Sequence, residues 1–415
     1  MKSKLNRRVL QSGLFLLMGW CNWGHAAILR VCANGANVTY TTIGAAVTAA
    51  AAGDEIDVCP ALYAEQVLIT KPLTLRGVGA NGSGRVLIQP AALTNAGNLP
   101  FQAVISVVNT KDVFIDGLAI DASQNMLSGC SVPLAGIHFS NASGTVSNNA
   151  IFGAVLFYPK SCTTLFPGSG FGVQVDTTSG QSGPFSVLIN GNSIHDFNRD
   201  GILVTGSGIT ADVTGNSITG LGPGYGTFQF GVFIANGAVG HITGNTISQA
   251  NCGSIDPTSC MNVRSEGVVF RAVGNGSVVD SNVITSTQSG IFLNGANNAQ
   301  ITNNIIMNID AMDAIDIQGT AAGYFTNSLI SGNRISRVFP IDMTASANKQ
   351  GCGIKEVIGT GVMHNLIVDN TITDAFCGVA YVTGDNPFSG FYFNTLYTTL
   401  DNDQYPDAFP PPVEP

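Results

Sequence analysis

The chain has 415 residues, 45% of them hydrophobic and only 10% charged, with 50 glycines and a formal net charge of −9 at pH 7. So little charge excludes a disordered or coiled-coil protein, and the acidic balance excludes nucleic acid as a partner. Abundant Gly, Asn, Thr, Ser, Val and Ile favour strands and tight turns over helices, and no linker-like shift of composition interrupts the chain before its extreme C-terminus.

Residues 1–26 read as a secretory leader: Lys2, Lys4, Arg7 and Arg8 precede the apolar run Leu14 to Met18, and small residues follow at Gly24 and Ala26. The run is too short to span a membrane, and no other stretch is a candidate span. Its removal takes the charge from −9 to −13, takes away both tryptophans, Trp20 and Trp23, and leaves eight cysteines. An even number of cysteines in an exported chain predicts disulfides rather than a metal site, and places the protein outside the cell or in the periplasm. No CxxC or HExxH spacing argues otherwise.

Residues 42–52 predict a short Ala-rich helix ending at Gly53, and alternating strands follow at 56–59, 67–70 and 73–75. From about residue 145 the chain repeats one phrase: SNNAI, NGNSI, VTGNSI, ITGNTI, DSNVI, TNNII, SGNRI and VDNTI. An Asn stands two residues before an Ile in each, at Asn149, Asn192, Asn216, Asn245, Asn282, Asn304, Asn333 and Asn370. The shortest interval, 22 residues, is the length of one bare coil. After each phrase comes a Gly or Ala opening an alternating strand: GVQV at 172, GILV at 201, GVFI at 231, GVVF at 267, GIFL at 290, AIDI at 314, GIKE at 353 and GVAY at 378, with GIHF at 136 beginning the series. A period of this size in short β-branched strands means a parallel β-solenoid of about eleven or twelve coils, whose end the N-terminal helix would cover. Stacked about 4.8 Å apart, the repeated asparagines would form an amide ladder. Residues 27–400 are therefore expected to be one solenoid domain, and the acidic, Pro-rich stretch 401–415 a flexible tail.

The A-x-x-A-x-x-G-D-x-I-x-V spacing of the N-terminal segment and the N-x-I coils after it resemble the right-handed parallel β-helix, or pectin-lyase-like, superfamily. The resemblance covers about residues 38–400 and implies an all-β, right-handed parallel β-helix. It does not fix an activity, because that superfamily holds polysaccharide lyases, epimerases and hydrolases beside tailspikes and adhesins. ALYAEQV is similar to the opening of pectinesterases, yet their later Gln and paired Asp motifs have no match. The polygalacturonase Gly-His-Gly and Arg-Ile-Lys motifs and the alginate-epimerase Asp-Pro-His-Glu motif are absent too, GCGIKEV being a partial echo.

From each Gly/Ala to the next Asn the gap stays near 14 or 15 residues in most coils, whereas from the Asn to the next Gly/Ala it ranges from 8 to 23. Long loops therefore rise on one side, just before the strand that opens with Gly. In the resembling enzymes loops so placed wall a cleft on the first sheet. Alternation along that strand aims outward His138, Gln174 and Asp176, Phe292 and Asn294, Asp316 and Gln318, Arg271 and Lys355, with Asp200, Glu266 and Asp313 at the rim. Lyase chemistry needs a base and a cation that neutralises a uronate, for which Arg271, Lys355 and His138 are candidates. Hydrolysis needs two carboxylates, for which Glu266 with Asp313 or Asp316 are candidates. Asp316 and Lys355 hold one outward position in successive coils and are expected to pair, with Arg271 two coils away. His138, Gln174, Asp176, Asp200, Phe292, Asn294 and Gln318 are the candidate sugar-binding groups.

Cys352 and Cys377 each precede the Gly of a repeat strand, so successive coils place them in register for a disulfide. Proximity pairs Cys252 with Cys260, and position pairs Cys32 with Cys59 and Cys130 with Cys162. The expected function is action on a polysaccharide or cell-surface glycan by lysis, epimerisation or hydrolysis, with calcium as the one cofactor such chemistry would call on. The alternative is a non-catalytic glycan-binding, envelope or surface scaffold.

Overall fold

A computed structural model of the protein describes residues 26–33, 39–79, 85–94, 101–125, 133–155, 170–178, 181, 183–222, 228–251, 265–319, 327–340, 351–357, 364–382, 390–392 and 394–397. Residues 1–25 of the leader and the whole tail expected from the sequence lie outside these residues, as do Cys130, Cys162, Cys252 and Cys260.

Among the described residues the chain winds into three parallel sheets of 11, 13 and 12 strands, every pairing joining one coil to the next. The first sheet holds the strands of the Gly/Ala series, from Val67–Ile69 through Gln102–Val108, Leu134–Ser140, Gly170–Asp176, Asp200–Thr205, Phe230–Ala235, Glu266–Arg271, Ser289–Asn294 and Ile315–Gln318 to Cys352–Val357 and Cys377–Val382. The second runs from Ile28–Val31 to Gly390–Tyr392, and the third from Ala61–Tyr63 to Thr395–Tyr397. Short β-branched strands suit this winding because each turns one face inward every second residue. The inward column Ile137, Val173, Ile202, Val232, Val268, Ile291, Ile315 and Ile354 is wholly buried. Each such side chain contributes about 1.5–3 kcal/mol on leaving water, provided its neighbouring coils are there to receive it.

The glycine before that column is a steric requirement. At Gly201 an added Cβ would stand 2.6 Å from Ile218 Cγ2 and 2.7 Å from the Gly231 carbonyl oxygen.

At the turn between second and third sheets the asparagines stack as one ladder. The amide oxygen of Asn192 accepts from the backbone N–H and side-chain Nδ2 of Asn149 at 3.0 and 3.1 Å, and the same pair of bonds recurs through Asn216, Asn245, Asn282, Asn304, Asn333 and Asn370. Asn394 extends it by one coil, accepting from Asn370 at 3.0 Å.

The helix is Ile43–Ala49, shorter than the expected 42–52. Thr42 caps it, and the Glu65 carboxylate accepts from the Ile43 and Gly44 N–H groups at 2.7 and 2.8 Å. Ala50 leaves helical geometry, and its carbonyl accepts from the Lys71 ammonium at 2.7 Å, which ends the helix a turn early. Ile43, Ala46 and Val47 face down into the core cluster of the first coils. Disulfides join Cys32 to Cys59 and Cys352 to Cys377, with Cα–Cα distances of 4.9 and 4.4 Å. Among the described residues no helix is long and apolar enough to cross a membrane.

Candidate functional site

Strand register fixes which side chains share the outer face of the first sheet. One column runs Ser106, His138, Gln174, Leu203, Phe233, Val269, Phe292, Asp316, Lys355 and Ala380; the next runs Ser140, Asp176, Thr205, Ala235, Arg271, Asn294, Gln318 and Val357. A rim column carries Phe171, Asp200, Phe230, Glu266 and Ser289, and Asp313 continues it on the next coil, its carbonyl accepting from the Ser289 hydroxyl at 2.9 Å.

The expected pairing of Lys355 with Asp316 is corrected. The two are in register on adjacent strands, but the Lys355 ammonium lies 3.0 Å from Asp313 Oδ2. Asp313 Oδ1 accepts from the Cys352 N–H at 2.9 Å, so both of its oxygens are engaged. A lysine stem is long enough to cross to the rim column, where Asp313 is as fully buried as Asp316. Asp316 Oδ2 instead accepts from Gln318 Nε2 at 3.1 Å. Burial pushes the Asp313 carboxyl up to about 6; the Lys355 ammonium pulls against that rise and the nearby Asp316 charge adds to it. Arg271 is exposed, bonded by ion pair to no described residue, and aligned two coils away with Gln318 rather than with Asp316, because it sits two residues further along its strand. Asn294 lies between them, half-buried.

Phe230, Val269 and Phe292 form an apolar cluster separate from the solenoid core, with Phe228 and Phe233 packed on it. Phe233 and Phe292 share a column two coils apart, about 9.6 Å. The Arg199 guanidinium lies 5.3 Å above the Phe228 ring and 4.8 Å above that of Phe230, a cation–π arrangement that the sequence alone did not reveal. Asp200 stands beside it, Oδ1 3.7 Å from Arg199 Nε, flanked in register by Phe171 and Phe230. Burial in that apolar setting pushes its carboxyl up to about 7, against the pull of Arg199. Glu266, also buried, is two coils further along the rim.

At the other end of the sheet His138, Gln174 and Asp176 come together. Asp176 Oδ2 accepts from His138 Nε2 at 2.8 Å and from Gln174 Nε2 at 2.9 Å. Glu356 points inward, wholly buried, and accepts from Asn365 Nδ2 at 2.6 Å; it belongs to the core and escaped the sequence reading because its neighbours at that position are Ile317 and Tyr381. Among the described residues no group of three or more His, Cys, Asp or Glu side chains is placed to hold a metal ion.

A family model described as the right handed beta helix region matches residues 171–396. The chain belongs to that family. No curated protein sequence matches this right-handed β-helix protein. Among solved structures it is similar to the A-module of the mannuronan C-5 epimerase AlgE6 of Azotobacter vinelandii, at 16% identity and a TM-score of 0.53, covering 85% of this chain and 94% of that one. It is also similar to the GH136 lacto-N-biosidase from Eubacterium ramulus, at 13% identity and a TM-score of 0.50, covering 90% of this chain and 68% of the other. At such identities the likeness is one of fold.

Proposed function

We propose that the outer face of the first sheet is a glycan-binding groove and that its C-terminal half carries acid–base chemistry on a polysaccharide, with glycosidic hydrolysis as the reaction. The observation that carries this reading is the juxtaposition of Asp313, Asp316 and Lys355 with the Phe230–Val269–Phe292 cluster. An apolar aromatic floor receives the faces of sugar rings, and a carboxyl lifted to about 6 exchanges its proton near neutral pH. Asp316 acts on water or substrate, and Asp313 with Lys355 forms the buried ion pair that sets its field. The solved structures of similar fold bear on the substrate class, since one is an epimerase of mannuronan and the other a lacto-N-biosidase.

Hydrolysis is favoured over elimination from a uronate because Lys355 and Arg199 are committed, which leaves Arg271 as the exposed cation among the described residues of this face. Lys355 is held by Asp313, and Arg199 by Asp200 and two phenyl rings, so a polyanion would meet mostly carboxylates. A neutral glycan fits better. Two disulfides suit an oxidising compartment, which accords with export under a leader at residues 1–26.

The test is reducing-sugar release from a panel of neutral and acidic polysaccharides. A neutral polymer should be cleaved, and Asp316→Asn should lower kcat by about 10²–10⁴-fold with little change in unfolding midpoint, whereas Lys355→Ala should lower both kcat and the midpoint because it leaves Asp313 buried without its partner. Wild-type turnover in both variants would move the site elsewhere. A second reading, a non-catalytic glycan-binding surface, is favoured by the burial of Asp313, Asp316 and Lys355, which expose 1, 2 and 7% of their surface. Binding without turnover of any panel member would decide for it.

A further inference from the structure

The N-terminal half of the same sheet carries a second polar group, six coils and about 29 Å from the strand of Asp316. Ser106, His138 and Gln174 occupy one outward column on three consecutive coils, and Ser140 and Asp176 the adjoining column. All five are buried. His138 Nε2 lies 2.8 Å from Asp176 Oδ2, and in the tautomer that donates to this carboxylate Nδ1 is the acceptor. Phe101 packs against the other side of the imidazole, ring centroids 4.8 Å apart.

What sets this group apart is the hydrogen bonding it leaves unmade. His138 Nδ1, Ser106 Oγ, Ser140 Oγ and Gln174 Oε1 are all enclosed, and none has a hydrogen-bond partner among the described residues. Buried polar atoms are paired in the great majority of cases, and each exception calls for a reason. A core network would satisfy itself; four open positions around one oriented imidazole suit a ligand that supplies the missing partners.

We propose that Ser106, His138 and Asp176 form a nucleophile, base and orienting carboxylate that hydrolyse a small acyl ester. Ser106 is the lateral neighbour of His138, about 4.8 Å away between Cα atoms, whereas Ser140 lies two residues along the strand at about 6.6 Å. The Ser106–His138 bond is open in the resting structure, as nucleophile–base contacts commonly are before substrate binds. His138 Nδ1 takes the Ser106 hydroxyl proton as Oγ bonds to the ester carbonyl carbon. The tetrahedral adduct collapses, the C–O bond to the alcohol breaks, and the imidazolium returns its proton to the leaving alkoxide. Water, deprotonated by Nδ1, then attacks the acyl carbon, releases the carboxylic acid and restores the Ser106 hydroxyl. Asp176 stays ionised throughout and stabilises the imidazolium, while the Ser140 hydroxyl is the donor available to the oxyanion.

The test uses the full chain and two probes, a fluorophosphonate and p-nitrophenyl acetate. A single phosphonyl adduct should map to the peptide holding Ser106, and p-nitrophenyl acetate hydrolysis should fall about 100-fold or more in Ser106→Ala and in His138→Gln. Asp316→Asn should label like wild type, which separates this site from the groove chemistry proposed above. The proposal is overturned by a folded wild-type protein that takes no adduct, by an adduct on another residue, or by a His138→Gln variant of unchanged melting temperature that labels at the wild-type rate.

Discussion

Asp200 places a carboxyl between two phenyl side chains, and the consequence shows in stability against pH. Its carboxyl sits at about 7 in the folded chain against an ordinary 3.8, so between those values the folded protein keeps a proton that the unfolded chain gives up. The associated stability is complete below about pH 4 and is lost as pH rises through 7. Asp200→Asn should therefore match wild type near pH 3.5 and exceed it near pH 8 by a few kcal/mol, on the order of 1.4 kcal/mol for each pH unit of the shift. Urea melts at the two pH values check this, and equal differences at both would place the carboxyl outside its apolar setting. At this scale the sequence told which residues share a face but not which of them touch. Alternation put Asp316, Lys355 and Asp313 on the right side of the right strands. Choosing between two carboxylates needed the hydrogen-bond partners of each, the Cys352 N–H for Asp313 and Gln318 for Asp316, which alternation does not reveal. The Arg199–Phe228–Phe230 stack was hidden for the same reason, since Arg199 and the two phenyl rings come from successive coils about thirty residues apart.

The asparagine turn is the element that the sequence declared most openly, because each coil repeats one environment. Its full rule is one residue longer than the N-x-I phrase. The residue before each ladder Asn has a positive φ: Asn148, Gly191, Gly215, Gly244, Ser281, Asn303, Gly332 and Asp369. That is why Gly, Asn and Asp crowd the position. Asn394 was overlooked because Leu396 follows it where the other coils have Ile. Replacing Asn282 by Leu should strand the Asn245 backbone N–H and take a donor from the Ile242 carbonyl, while the backbone N–H of residue 282 still serves Asn304, at roughly 1–3 kcal/mol for each buried group left unpaired. An unchanged thermal midpoint would show that water replaces the amide without loss. The Cys352–Cys377 bridge closes a sequence separation of 25 between adjacent coils and abuts the Asp313 carboxylate through the Cys352 N–H. Serine at both positions should lower stability by about 2–4 kcal/mol in a urea titration. Loss of less than 1 kcal/mol would mean that sheet pairing alone holds these coils.

Over the whole molecule stability passes from coil to coil, so the ends matter more than in a closed fold. The helix Ile43–Ala49 lays buried Ile43 and Val47 on the first coils. Ile43→Asp should lift this cover, lower the melting temperature by several degrees and make light scattering rise with protein concentration as the opened end seeks another edge. A monomeric, equally stable variant would mean that the helix is ornamental. Architecture was legible at this scale because the repeat states it many times, whereas chemistry is stated once, on one face, and no repetition amplifies it. The ladder has one more consequence. Every amide in it turns its oxygen toward the N-terminal coil and donates through nitrogen toward the C-terminal one, so the side-chain dipoles add instead of cancelling. The solenoid thus carries a permanent electrical polarity along its axis, positive toward the coil of Asn394, and its two ends differ in potential whatever charges decorate the surface.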